Sequence, residues 1–172
     1  MSRISFTQVA SLPDVLDQVA YEMFFGNIPG SGDSKGLNLR SKDTNVPGFS
    51  NESFAVTLHG HTRNFRGRST PSGTWSTNFV ETSDGYTLAT VRDWHERVVG
   101  SESGNSKGYL KEYSVTARLK LYDTTGKVVR EATLLEVYPQ EVGDTTISGE
   151  SSAAVSISVT WKYSRCTWGK IL

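Results

Sequence analysis

Apolar and polar positions alternate with a period of two along much of the chain, the pattern of strands buried on one face. Tyr21, Met23 and Phe25 alternate in this way, and residues 37–41 read as a short strand. Phe54, Val56 and Leu58 alternate with Ala55, Thr57 and His59, giving a strand with one apolar face that runs into the basic stretch HTRNFRGRS. Trp75, Thr77 and Phe79 share a strand face. Tyr113, Val115, Ala117, Leu119 and Leu121 form another, and the Asp123–Gly126 turn leads into a long hairpin over residues 127–138. Val155, Ile157, Val159, Trp161 and Tyr163 give the clearest alternation of all.

The period changes to helical at Leu88, Val91, Trp94, His95 and Val98, with Asp84 as the expected N-cap and Gly100 as the stop. A second, short helix is expected near Pro13, with Leu12, Val15, Leu16 and Val19 on one stripe. Residues 26–36 and 42–51 read as long turn-rich loops, a length that suggests contact work. The strings SGDSKG and SGNSKG recur at residues 31–36 and 103–108 with unmatched flanks, so they share turn chemistry and not descent by duplication. The expected fold is a single mainly β domain over residues 1–172. It is a β-sandwich or barrel of about seven strands with one α-helix packed on it, an N-terminal arm at 1–11 and an apolar tail at 165–172.

Composition agrees: among 172 residues Ser and Thr outnumber the charged side chains, with sixteen Gly and two Met. Eighteen basic and eighteen acidic residues cancel, so no global basic field gathers nucleic acid or anionic lipid. Cys166 has no partner cysteine, and no apolar run reaches the roughly 20 residues that span a bilayer. With no charged n-region and apolar h-region at the start, a soluble, unexported chain without membrane contact is expected.

Candidate chemistry is thin. His59 and His61, two apart on a strand, can share a metal ion, but no third ligand lies nearby and His95 belongs to the helix; the alternative is a polar strand face. That pair carries the enzyme or ligand-binding reading. Residues 104–108 match a nucleophile elbow in reversed context, with the helix before and the strand after. No glycine cluster has the spacing of a phosphate loop. One asymmetry is informative: residues 59–70 hold Arg63, Arg66 and Arg68 and no acid. Residues 131–150 hold Glu131, Glu136, Glu141, Asp144 and Glu150 and no Lys or Arg. Such patches can meet in head-to-tail assembly, or each can be a solvated loop face.

Taken together, FFGNIPGSGD, VPGFSNESFAVTLHGHTRNFRG, GTWSTNFVETSDGYTLATVRDWHE, GNSKGYLKEYSVTARLKLYDTTGKVV and EVYPQEV resemble the tail-tube proteins of contractile-tailed bacteriophages, over about residues 21–163. The resemblance implies a tail-tube-like fold without catalytic residues, cofactor or metal. It implies six copies closing into a ring and rings stacking into a hollow DNA conduit inside a contractile sheath. The implied partners are further copies, the tail sheath protein, a baseplate tube initiator, and tape-measure protein and DNA in the lumen. The implied place is the virion tail, assembled in the host cytoplasm. Type VI secretion tubes, contractile bacteriocin tubes and baseplate tube initiators are similar in fold.

Within that frame, ring-to-ring contact is expected at Lys42, Asp43, Asn45, Val46, Pro47, Gly48 and Phe49 and at Trp168, Ile171 and Leu172. Arg63, Arg66 and Arg68 are expected to face Glu136, Glu141 and Asp144 across an interface. A lumen that neither binds nor stalls a polyanion calls for small neutral groups, and the polar strand faces offer Thr57, Ser76, Asn78, Ser114, Thr116, Ser156, Ser158 and Thr160. Trp75, Trp94 and Trp161 are expected in the core.

Overall fold

A computed structural model describes residues 20–30, 32–71, 73–100, 108–145, 147 and 153–169. The expected N-terminal arm and short helix near Pro13 lie outside the described residues. The strands are β1 (Tyr21–Phe25), β2 (Ser41–Thr44), β3 (Phe49–Leu58), β4 (His61–Pro71), β5 (Thr74–Val80), β6 (Val115–Tyr122), β7 (Val128–Val142), β8 (Ser156–Lys162) and β9 (Arg165–Trp168). The helices are α1 (Ser34–Leu39), α2 (Tyr86–Val99) and α3 (Leu110–Tyr113). Seven strands make one antiparallel sheet in the order β1-β6-β7-β8-β5-β2, with β9 also on β7; β3 and β4 pair with each other as a separate hairpin.

β7 is the spine of this sheet. Its first part carries β6 on one edge and β9 on the other, and its last residues carry β8. Between the two parts Glu136 takes a left-handed conformation, φ 57°. The neighbouring β8–β9 line breaks at the same level, where Ser164 N donates to Leu135 O at 3.1 Å. Both strands therefore bend together, and the sheet folds over on itself. Phe25 of β1 then lies 5.6 Å from Trp75 of β5 and 4.9 Å from Trp161 of β8, ring centre to ring centre.

Trp94 of α2 closes this aromatic cluster, edge-on to Phe25 at 6.0 Å and 5.1 Å from Trp161. Met23, Leu119, Leu134, Val137, Ile157 and Val159 pack around it and are all buried. Each such side chain contributes about 1.5–3 kcal/mol by leaving water. Burying three indoles also buries three N–H donors, and each is satisfied. Trp75 Nε1 donates to Thr44 Oγ1 and Asn45 O, both at 2.8 Å; Trp94 Nε1 donates to Tyr113 O at 2.6 Å; Trp161 Nε1 donates to Thr77 Oγ1 at 2.8 Å.

Several elements depart from the expected pattern. Residues 37–41 are not one strand: α1 covers 34–39, with Asp33 Oδ1 accepting from Gly36 N at 2.5 Å as its cap and Leu37 fully buried. The loop expected at 42–51 shrinks to residues 45–48, because β2 and β3 take its ends. Tyr113 ends α3 and does not belong to β6. In α2 the buried face is Thr87, Thr90, Val91 and Trp94, while Leu88 is exposed. Gly85, not Asp84, occupies the N-cap position, at φ 66°. The first-turn donors go to a residue upstream: Glu81 accepts from Thr87 N at 3.1 Å and Leu88 N at 2.7 Å. Gly100 ends the helix in the left-handed conformation, as expected, its N–H bonded to Glu96 O at 2.7 Å.

Candidate functional site

The feature that the core does not require is the β3–β4 hairpin. Ten residues of β3 rise about 3.4 Å each, so the hairpin is about 30 Å long. Its tip is a two-residue turn, His59 at φ 50° and Gly60 at φ 82°, the left-handed pair whose twist matches the flanking strands. His59 therefore sits in the turn and His61 on β4, so the two imidazoles do not share a strand face as the metal reading required. Among the described residues no group of three or more His, Cys, Asp or Glu is placed to hold a metal ion.

Register sorts the hairpin into two faces. Phe54 pairs with Phe65, Val56 with Arg63 and Leu58 with His61 on one face; Ser53 pairs with Arg66, Ala55 with Asn64 and Thr57 with Thr62 on the other. Stacked Phe54 and Phe65 rings 5.6 Å apart mark the apolar face, and a 3.0 Å contact between the Thr57 and Thr62 hydroxyls marks the polar one. The apolar face is open to solvent: Phe54 is 55% exposed, Phe65 42% and Leu58 64%. Register divides two of the three arginines. Arg63 lies over the Phe65 ring at 5.7 Å, while Arg66 has its register position on the polar face.

The acidic set is divided too. Glu136 sits at the bend of β7, whereas Glu141 and Asp144 line a cleft of about 550 Å³ between the end of β7 and α2. Leu88, Arg92, His95 and Glu96 form the helix side of that cleft, and Val142 joins Glu141 on the strand side.

Segment 42–49 is anchored as well as exposed. Asp43 accepts from Asn78 Nδ2 at 2.6 Å, Asn45 O accepts from Trp75, and Pro47 is buried, while Lys42, Val46 and Phe49 are exposed. The C-terminal segment is less free than the sequence suggests. β9 pairs Trp168 with Ala132 on the edge of β7, and the Trp168 ring is half-buried with Arg130 5.7 Å from its centre. Ile171 and Leu172 lie outside the described residues.

Five of the eight small polar candidates come together. Ser76 pairs with Thr160 and Asn78 with Ser158, with Ser156 one step on opposite Val80, so all five lie on the outward face of β5–β8. Thr116 stands on β6, Ser114 just before it, and Thr57 on the hairpin.

The model of the phage tail tube protein family matches residues 3–168. This chain belongs to the phage tail tube protein family. Proteins of the family are structural, not enzymes. No curated protein matches the chain. Among solved structures, the sheath/tube terminator of an extracellular contractile injection system in its extended state superposes with a TM-score of 0.69 at 10% identity. That match covers 93% of this tail-tube family chain and 100% of the other. The tube-terminating cap of the anti-feeding prophage gives 0.65 at 8% identity over 92% and 93%. A chain of the sheath–tube complex of an extracellular contractile injection system gives 0.61 at 11% identity over 98% and 100%. At these identities the likeness is one of fold.

Proposed function

We propose that this chain is the subunit of the tail tube of a contractile phage. Six copies close into a ring, and rings stack head to tail into a hollow conduit through which DNA leaves, with the sheath outside and the tape-measure protein within. The observation that carries the reading is the family match over nearly the whole chain, joined to an exposed amphipathic hairpin that its own core leaves uncovered. Contiguous exposed apolar surface of this kind marks an interaction site. The end strand β2 supports ring closure, because a sheet edge is a row of backbone groups that a neighbouring copy can take up; at the other end of the sheet α1 already occupies β1, Met23 N donating to Asn38 Oδ1 at 2.8 Å and Phe25 N to Ser34 Oγ at 2.7 Å. The five-residue polar face of β5–β8 is the lumen candidate: these five bear hydroxyls and an amide that give DNA little to grip, and Lys162, next in line on the same face opposite Thr74, stands at its end. Segment 42–49 and the C-terminal residues from Trp168 to Leu172 supply contacts between rings. The subunits are taken up at a baseplate initiator in the host cytoplasm.

A second reading is a tube terminator, a single ring that caps the tube. The higher TM-scores to two terminators than to a sheath–tube chain support it. Negative-stain electron microscopy of the concentrated full chain separates the two. Long hollow fibres of uniform width support the tube subunit, single rings that do not elongate support the terminator, and a strict monomer at every concentration contradicts both.

A further inference from the structure

Resting on the tube reading, we propose that the apolar face of the β3–β4 hairpin docks into the α2–β7 cleft of a second copy, with Arg63 set against Glu141 and Asp144. The two surfaces have matching composition. The hairpin face presents Phe54, Val56, Leu58 and Phe65 around one cation, Arg63. The cleft, about 550 Å³, presents Leu88 and Val142 among the acids Glu96, Glu141 and Asp144, with Arg92 and His95 on its helix wall. Leu88 lies on the solvent side of α2, 41% open to solvent, and a docked aromatic ring would cover it.

Charge points to a copy of this chain as the occupant. The protein has zero formal net charge, yet its basic and acidic segments are separated, one on the hairpin and one at the end of β7. A contact that joins unlike patches of identical chains propagates from copy to copy wherever it is not reciprocated across a two-fold axis, and the propagating form is the geometry a stacked or ring-closed assembly needs. Apolar burial supplies the attraction, and the Arg63 pairing sets register and direction. Arg66, on the opposite face of the hairpin, has no part in this contact.

The test is a charge exchange in the full-length protein, read by sedimentation and electron microscopy. All substituted side chains are exposed, and circular dichroism verifies that each variant is folded. Arg63→Glu alone, and Glu141→Lys with Asp144→Lys, each juxtapose like charges and raise the concentration needed for assembly about tenfold or more. Combining the three substitutions in one chain restores assembly toward the unsubstituted level. Arg66→Glu leaves it within about twofold, because it alters the same hairpin on the wrong face. Unimpaired assembly of Arg63→Glu, no rescue in the triple variant, or equal damage from Arg66→Glu overturns the docking while the tube reading stands. An unsubstituted chain that stays monomeric overturns both.

Discussion

The aromatic cluster shows how single residues fix this fold. Trp94 carries α2 into the fold of the sheet, touching Phe25 and Trp161 and giving its N–H to Tyr113 O. Trp94→Ala leaves a cavity and an unpaired carbonyl, and we expect a loss of about 3–5 kcal/mol in urea unfolding. A loss under about 1 kcal/mol would mean that the helix packs some other way. Glu81 is the true cap of α2, and Glu81→Ala is expected to cost about 1 kcal/mol; Asp84 reaches the helix only through one long bond, 3.3 Å to Tyr86 N, and is otherwise held by Arg40 and the Thr82 hydroxyl. The Tyr122 hydroxyl donates to Glu22 Oε2 at 2.6 Å, and that bond, reinforced by partial burial and by the charges of Glu22 and Glu131, pushes its pKa up to about 12. An unfolded tyrosine titrates near 10, so the contribution is intact below about pH 10 and is lost as pH rises toward 12. Ultraviolet titration reads this directly: Glu22→Gln brings the Tyr122 midpoint down, and an unmoved midpoint refutes the assignment.

At the scale of elements, period-two alternation was enough to locate β1, β5, β6 and β8, because each buries one face in the same core. It failed where other physics decides. α1 is six residues long with one buried side chain, Leu37, so it leaves no stripe to read; its only signal was the Asp33 cap. The alternation of Phe54, Val56 and Leu58 correctly announced a strand with one apolar face, and among the described residues that face is exposed. A pattern reports which face is apolar and not what covers it. The terminal segment held Thr167 between Cys166 and Trp168, too short a run to declare β9, which exists because β7 offers a free edge there. β9 gives a further prediction. A chain ending at Ser164 loses an edge strand together with the Trp168 packing, so it unfolds at lower urea concentration than the full chain. Trp168→Ala alone costs about 1 kcal/mol for a half-buried ring. Equal stability of the truncated chain would show that β9 serves assembly only. The Asp123 turn was legible outright: Asp123 Oδ1 accepts from Thr125 N at 2.8 Å and Lys127 N at 2.9 Å, the side-chain-to-backbone pattern that favours Asp there. The Thr125 hydroxyl, donating to the same oxygen at 2.7 Å, together with the backbone bonds holds the Asp123 carboxyl below its ordinary range, so the turn weakens only as pH falls through that depressed value.

For the whole molecule, the bent seven-stranded sheet and α2 account for stability, and the hairpin, the β2 edge and the polar β5–β8 face are left over for assembly. The charge segregation was legible in the sequence, but the pairing of its members was not. Register places Arg63 and Arg66 on opposite faces, and the bend of β7 removes Glu136 from the cleft that holds Glu141 and Asp144. Both separations depend on strand register and backbone conformation, which composition does not carry. The ring of six around an open lumen is the central claim, and end-on averaging of assembled particles by cryo-electron microscopy tests it most directly. Six-fold rings with a water-filled centre lined by Ser76, Asn78, Ser156, Ser158 and Thr160 are the predicted result; solid fibres, another symmetry, or a lumen lined by the arginines of β4 would contradict it.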